Sequence, residues 1–286
     1  MGSRKKHIWL GFGESIVGDS HLRKGTKCQD AIGWLVGKNR AVMAIADGHG
    51  DKKCAYSDVG AKIAVEVAID TLLGFSEFLE EPRKLSFSGH IAENYLPKLI
   101  VQSWREKIRK AHRHIANSGF LQDDEIYELY GTTLVSALVV GDVGLFVQIG
   151  DGEILVVRAD GSVFEPLSDD DLFGNYTNSL SLPNATTKFR VGTTRFDVGK
   201  PALVLLCSDG ISNSFVDEEN FFKLGSDYLK LLENRGFEYV VKKLPKWSKE
   251  IGHGGSGDDV SLGILWRCIP RIRSKTQNKG GKKCHC

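Results

Sequence analysis

The sequence predicts an α+β fold, and three observations carry that prediction. Apolar segments come as strands, then two helices, then more strands, two further helices and a closing strand. Short turn signals, Gly141-Asp142, Gly150-Asp151-Gly152 and Asp160-Gly161, separate the middle strands as they would antiparallel neighbours. The hydrophobic period also changes between the two kinds of segment, from runs and alternation to spacings of three to five. Such an order argues for antiparallel sheet covered by helices on its outer faces.

Taken in order, Ile8–Val17 and Ala31–Val36 read as glycine-punctuated strands with the polar stretch 18–30 between them. The apolar run Ala41–Ala46 is a third, buried strand, and it ends abruptly in Asp47-Gly48-His49-Gly50. Val59, Ile63, Val67 and Leu72, with Ala64 and Ala68, make one face of a helix that Ser57 or Asp58 would cap. Leu96, Ile100, Trp104, Ile108, Ala111 and Ile115 mark a second helix, with Phe75–Gly89 expected as the connection. Strands then follow at Thr133–Val140, Leu145–Ile149, Glu153–Val157 and Val163–Glu165. The stretch Ser168–Arg195, rich in Asn, Ser, Thr and Asp, shows no period and is long for a connection, which marks it as a functional loop. Ala202–Cys207 is a strand, Asp217–Asn234 and Phe237–Ile251 are helices, and Val260–Trp266 closes the fold after a Gly-rich turn.

No repeat or composition break divides the 286 residues, so a single domain over 8–269 is expected, with tails at 1–7 and 270–286. No apolar run approaches the ~18 residues needed to span a membrane, nor is there a secretory leader, and a cytoplasmic protein is expected. The six cysteines, at 28, 54, 207, 268, 284 and 286, lack a repeated spacing and suit reduced thiols. Cys284-His285-Cys286 is read as a frayed end rather than a metal site. Net charge is +2, but nine basic residues lie in the two tails. Setting those aside leaves 29 basic against 36 acidic residues, a body of net −7. The basic tails are expected to be solvated rather than bound to nucleic acid.

Three acids share one local setting. Asp47, Asp209 and Asp258 each stand where an apolar strand meets a glycine turn. One Asp-Gly after a strand is usually just a turn. If the three strands are neighbours in facing sheets, however, the acids meet at one edge, with Asp30 joining from the start of its own strand. Carboxylates gathered in that way need cations, and hard oxygen ligands select Mg²⁺ or Mn²⁺ over Zn²⁺. Two such ions about 3.5–4 Å apart acidify a bridging water for attack on an electrophile such as phosphorus. His49 would then serve as general acid toward the leaving oxygen. Cys207 sits in an apolar strand without a basic neighbour, so packing is its expected role rather than nucleophilic attack.

At these residues the chain resembles the metal-dependent Ser/Thr protein phosphatases of type 2C, in a bacterial-like form. The resemblance rests on Ala46–Gly50, Gly131-Thr132-Thr133-Leu134-Val135, Ile149-Gly150-Asp151-Gly152-Glu153, Leu206–Gly210 and Gly257–Ser261, whose order and spacing span nearly all of residues 8–267. It implies a four-layer α-β-β-α sandwich, two central antiparallel sheets flanked by antiparallel helix pairs. It also implies hydrolysis of phosphoserine and phosphothreonine in proteins, with Mg²⁺ or Mn²⁺ as two ions and a third as a further option. Asp47 and the Gly48 carbonyl would hold the metals with Asp209 and Asp258, Asp30 would hold bound water behind them, and residues 168–195 would form a flap. Asp259 is the alternative ligand should the register be shifted by one. A third ion would use Glu128, with Asp124 in reserve.

Two positions depart from the family pattern: Gln29 stands where an acid is common, and Gly25 where a phosphate-binding Arg is common. The sequence instead has a Ser-His and a Cys-Gln-Asp signature, and His21 or Arg23 is the expected substitute for phosphate binding. Asp151 is read as shaping its turn. The expected partners are a phosphoprotein substrate and an opposing Ser/Thr kinase, with a monomeric chain. A phosphoprotein-binding module with little activity and a phosphatase of small metabolites are the competing readings.

Overall fold

The computed structural model describes residues 7–79, 85–115, 121–167 and 177–268, and side chains at 85–88 are not described. The N-terminal tail up to residue 6, residues 168–176 of the expected flap, and the C-terminal tail from 269 therefore lie outside the described residues. Two five-stranded antiparallel sheets form the centre. The first runs in the order β1 (Ile8–Ile16), β10 (Val260–Cys268), β9 (Ala202–Cys207), β6 (Glu153–Val157), β7 (Val163–Phe164). The second runs β2 (Ala31–Val36), β3 (Arg40–Ala46), β4 (Leu134–Val140), β5 (Val143–Ile149), β8 (Arg190–Arg195).

Long helices cover both outer faces. α2 (Ser57–Leu79) and α3 (Leu85–Arg113) pack on the second sheet, and α6 (Glu218–Arg235) and α7 (Phe237–Gly254) on the first. The predicted four-layer sandwich is what the chain adopts. Strand alternation explains how one strand serves two layers: in β3, Val42, Ala44 and Ala46 face the helices while Ala41, Met43 and Ile45 face the other sheet. Because β4 and β5 are covered on both sides, every residue in them is buried, which is why they read as runs rather than alternation.

Leu96, Ile100, Trp104 and Ile108 are all fully buried on α3, each worth ~1.5–3 kcal/mol of burial. That helix begins at Leu85 and passes through Pro97, so it claims part of the expected connection. The approach of α2 to the stretch before β4 is closer still. A Cβ on Gly60 would lie 2.0 Å from the Tyr130 carbonyl oxygen, and the Gly60 carbonyl accepts a hydrogen bond from Trp104 Nε1 at 3.0 Å. Three short helices also go beyond the sequence expectation: α1 (Asp19–Lys24), α4 (Asp123–Glu128) and α5 (Asp209–Ser212). The last six residues of the expected loop, Arg190–Arg195, pair with β5 as an edge strand.

Candidate active site

The antiparallel registers bring one end of each sheet to a common edge. Ala31 of β2 pairs with Ala46 of β3, so Asp30 and Asp47 emerge side by side. Cys207 of β9 pairs with Leu262 of β10, which brings Asp209 to the same end as Asp258 and Asp259. Asp151, in the turn between β5 and β6, joins them there.

The Asp47 turn is fixed through its backbone. Its N–H donates to Thr133 Oγ1 at 3.1 Å, and its carbonyl accepts from Thr133 N at 2.9 Å and Thr132 Oγ1 at 2.8 Å. The Gly131-Thr132-Thr133 stretch is thus the clamp on the Asp47 loop. Gly48 has no room for a side chain, since a Cβ would lie 2.7 Å from the Gln29 carbonyl oxygen and 2.8 Å from Ser57 backbone atoms. Gln29 secures the same loop from the other side: its Nε2 donates to the His49 carbonyl at 3.2 Å and to Ser57 Oγ at 2.5 Å. A glutamate could make neither donation, so Gln29 is a fitted residue and not merely a missing acid.

The carboxylates show what this edge needs. Burial pushes Asp47 well above the usual carboxylate range, reinforced by the neighbouring charges of Asp30, Asp209 and Asp151. Burial likewise raises Asp209, opposed by Asp47 and reinforced by Asp151 and Asp258. Asp30 is 5% exposed and is pushed up to about 7, chiefly by burial, against hydrogen bonds from Ser261 and Ser208. Its Oδ2 accepts from Ser261 Oγ at 2.7 Å, whereas its Oδ1 and the Oδ1 of Asp209 are buried with no hydrogen-bond partner.

Among the described residues, no three His, Cys, Asp or Glu side chains close into a ready-made ion cage. That accords with Mg²⁺-type coordination, in which one or two carboxylates act with several waters. Neighbouring carboxylates with orphaned buried oxygens are the donor set such a cation fits, because without one they must hold protons.

His49 is half-buried beside this edge, its backbone N–H donating to the Gly131 carbonyl at 3.0 Å. Burial lowers its pKa from the usual 6.5, with Asp151 and Asp51 opposing. The imidazole forms one wall of a cleft of about 710 Å³ that runs alongside the carboxylates rather than over them. Asp51, Cys54, Glu128, Ser181 and Pro183 also line it.

The remaining expected residues divide. Glu128 is on the cleft wall, exposed, 3.8 Å from Lys53 Nζ, and is not drawn into the carboxylate group. Arg23 is exposed on α1. His21 turns away from solvent: its Nδ1 is 2.8 Å from Asp259 Oδ2. Asp259 is buried and also accepts from Gly18 N and Gln29 N, each at 2.7 Å. Asp151, read as a turn-former, holds its carboxylate within the acidic group and accepts from Thr177 Oγ1 at 2.6 Å. The Cys207 thiol is buried and raised far above its usual value by that burial, which suits packing.

Comparison with known proteins agrees with this geometry. Residues 17–247 match the family model for protein phosphatase 2C. No curated protein sequence is significantly similar. Among solved structures, a bacterial serine phosphatase bearing an arginine-to-lysine mutation is 18% identical, with a TM-score of 0.60 over 92% of this chain and 99% of that one. The catalytic domain of the serine/threonine protein phosphatase PstP, in complex with two manganese ions, is 17% identical, with a TM-score of 0.54 over 91% and 99%. RsbX in complex with magnesium is 12% identical, with a TM-score of 0.51 over 91% and 96%. A match to the family model across most of the chain makes this chain a member of the protein phosphatase 2C family.

Proposed function

We propose that the chain removes phosphate from phosphoserine and phosphothreonine in proteins, with Mg²⁺ or Mn²⁺ held by Asp47, the Gly48 carbonyl, Asp209 and Asp258, and with Asp30 behind them. The observation that carries this reading is the convergence of Asp30, Asp47 and Asp209 at one edge, with the Oδ1 of Asp30 and the Oδ1 of Asp209 buried and without a hydrogen-bond partner. The manganese of PstP and the magnesium of RsbX support the choice of ions. Bound divalent ions supply Lewis-acid chemistry, acidifying water and screening the charge of the phosphate.

The chain's own residues do the rest. Thr132, Thr133 and Gln29 fix the loop that carries Asp47 and His49. His49 lines the cleft two residues beyond Asp47, suited to hand a proton to the departing Ser or Thr oxygen. The cleft gives a peptide room beside the acids, which favours a protein substrate over a small metabolite. Arg23 on α1 is the exposed cation for the phosphate. A third ion at Glu128 and Asp124 would have to displace the Lys53 pair.

An opposing Ser/Thr kinase, a signalling role and a monomeric state complete the proposal. The cysteines described, 28, 54, 207 and 268, are all free, which suits the reducing cytoplasm, and among the described residues no helix is long and apolar enough to cross a membrane. The test is hydrolysis of an aryl phosphate with Mn²⁺ or Mg²⁺, against chelator and against Asp209→Asn. Turnover that needs the ion and is lost in the variant is expected. Folded protein without metal-dependent turnover would leave only a binding role.

A further inference from the structure

α1 has six residues and none of them is buried, so it is too short to hold its shape alone. It is held because it is fastened to one other element, the turn between α7 and β10 that carries Asp258. Ser20 N donates to the Gly257 carbonyl at 2.9 Å, and Gly18 N donates to Asp259 Oδ1 at 2.7 Å. The Asp19 carboxylate pairs with His253 at the end of α7. A Cβ on Gly18 would lie 2.2 Å from the Asp258 carbonyl carbon, so the strap and the turn are in direct backbone contact.

His21 is the centre of this strap. Its side chain is 12% exposed, with Nδ1 2.8 Å from Asp259 Oδ2 and Nε2 3.9 Å from Asp258 Oδ1. The Nδ1 approach is close without the alignment of a directed hydrogen bond. Asp259 is the fixed end, 3% exposed and anchored by two backbone N–H groups. Asp258 is the loose end, 57% exposed, with its Oδ1 accepting from Asp259 N at 2.9 Å. One carboxylate thus faces each ring nitrogen, closely at Nδ1 and more loosely at Nε2.

We propose that His21 is a positioning residue for Asp258: seated against buried Asp259, it holds an otherwise exposed carboxylate in place for the divalent cation and sets the affinity for that ion. The role differs from the phosphate contact expected of His21 from sequence. It rests on the reading of Asp258 as a cation ligand. Groups that orient metal ligands typically change affinity 10–100-fold when removed.

The experiment is calorimetric titration of Mn²⁺ into the wild-type protein and into His21→Ala, His21→Gln and His21→Asn. Gln places its amide where Nε2 was, and Asn where Nδ1 was. His21→Ala and His21→Asn are expected to weaken Mn²⁺ binding by about tenfold or more, and His21→Gln to stay nearer the wild type. At saturating Mn²⁺, the KM for an aryl phosphate should change by less than about twofold in all three, since no substrate contact is lost. Unchanged Mn²⁺ affinity in His21→Ala overturns the proposal, and so does a raised KM at saturating Mn²⁺, which would return His21 to the phosphate. Should His21→Ala fail to fold, equal Mn²⁺ affinity in His21→Gln and His21→Asn overturns it instead. Wild-type protein that takes up no Mn²⁺ would fail at the cation site itself, a separate and distinguishable result.

Discussion

Asp30 offers the sharpest energetic test of the acidic edge. It is buried, one of its oxygens lacks a partner, and its pKa in the metal-free protein is pushed from 3.8 up to about 7. Burial is the main cause, and Asp259 and Asp209 add to it. A folded-state value above the unfolded one means that the charged form opposes folding. The stability of the metal-free protein is therefore intact below about pH 4, falls as pH rises toward 7, and then levels. A rise of about three units at ~1.4 kcal/mol each puts the loss at roughly 4 kcal/mol, an upper figure because Asp47 and Asp209 share the same charge problem. Asp30→Asn removes the titration while its amide oxygen can still accept from Ser261. In chelator, urea unfolding should find the variant close to the wild type near pH 4.5 and more stable than it at pH 8. With Mn²⁺ the gap should close, since the ion offsets the charge that the variant lacks. A difference that does not vary with pH, or a variant less stable than the wild type at pH 8 in chelator, would refute the reasoning.

Other consequences can be tested alongside. His49→Ala should slow alkyl phosphates, which have poor leaving groups, far more than aryl phosphates; equal losses on both would remove His49 as the acid. In the wild type, turnover of alkyl phosphates should decline as pH rises through the lowered pKa of His49, because the protonated form is the donor. Gln29→Glu, which puts an acid at this position, should cost ~1–3 kcal/mol in urea unfolding, since the donations to His49 and Ser57 are lost. No cost would show that the staple is idle. Gly210→Ala would put a Cβ 2.1 Å from the Asp259 carbonyl oxygen, so a stability loss of about 1–3 kcal/mol and weaker Mn²⁺ binding are expected. Wild-type values on both counts would show that the turn can yield.

The layers and the three strand-end acids were legible because their signals are local. An apolar run such as Ala41–Ala46 ending in Asp-Gly states both a buried strand and a charge at its tip. What could not be read depends on partners far along the chain. α1 and α4 have six residues each, too few to show a period. β8 alternates only between partial burial and exposure within a polar stretch, so it looked like loop. Gln29 looked like a departure from the family pattern because the two acceptors it serves, the His49 carbonyl and Ser57 Oγ, are visible only in three dimensions. Asp151 was taken for a turn residue, and its two flanking glycines were the signal that could have placed it with the other acids. His21 was expected at the phosphate because a basic loop residue near Asp30 suggests it; Asp259, the carboxylate it rests on, comes from the other end of the chain.

Metal-dependent catalysis at Asp47 is tested most directly by release of phosphate from a phosphothreonyl peptide by the wild-type protein and by Asp47→Asn, each in Mn²⁺ and in chelator. Turnover by the wild type that requires Mn²⁺ and disappears in Asp47→Asn is the predicted result. Equal turnover in chelator, or undiminished turnover in Asp47→Asn, would contradict it.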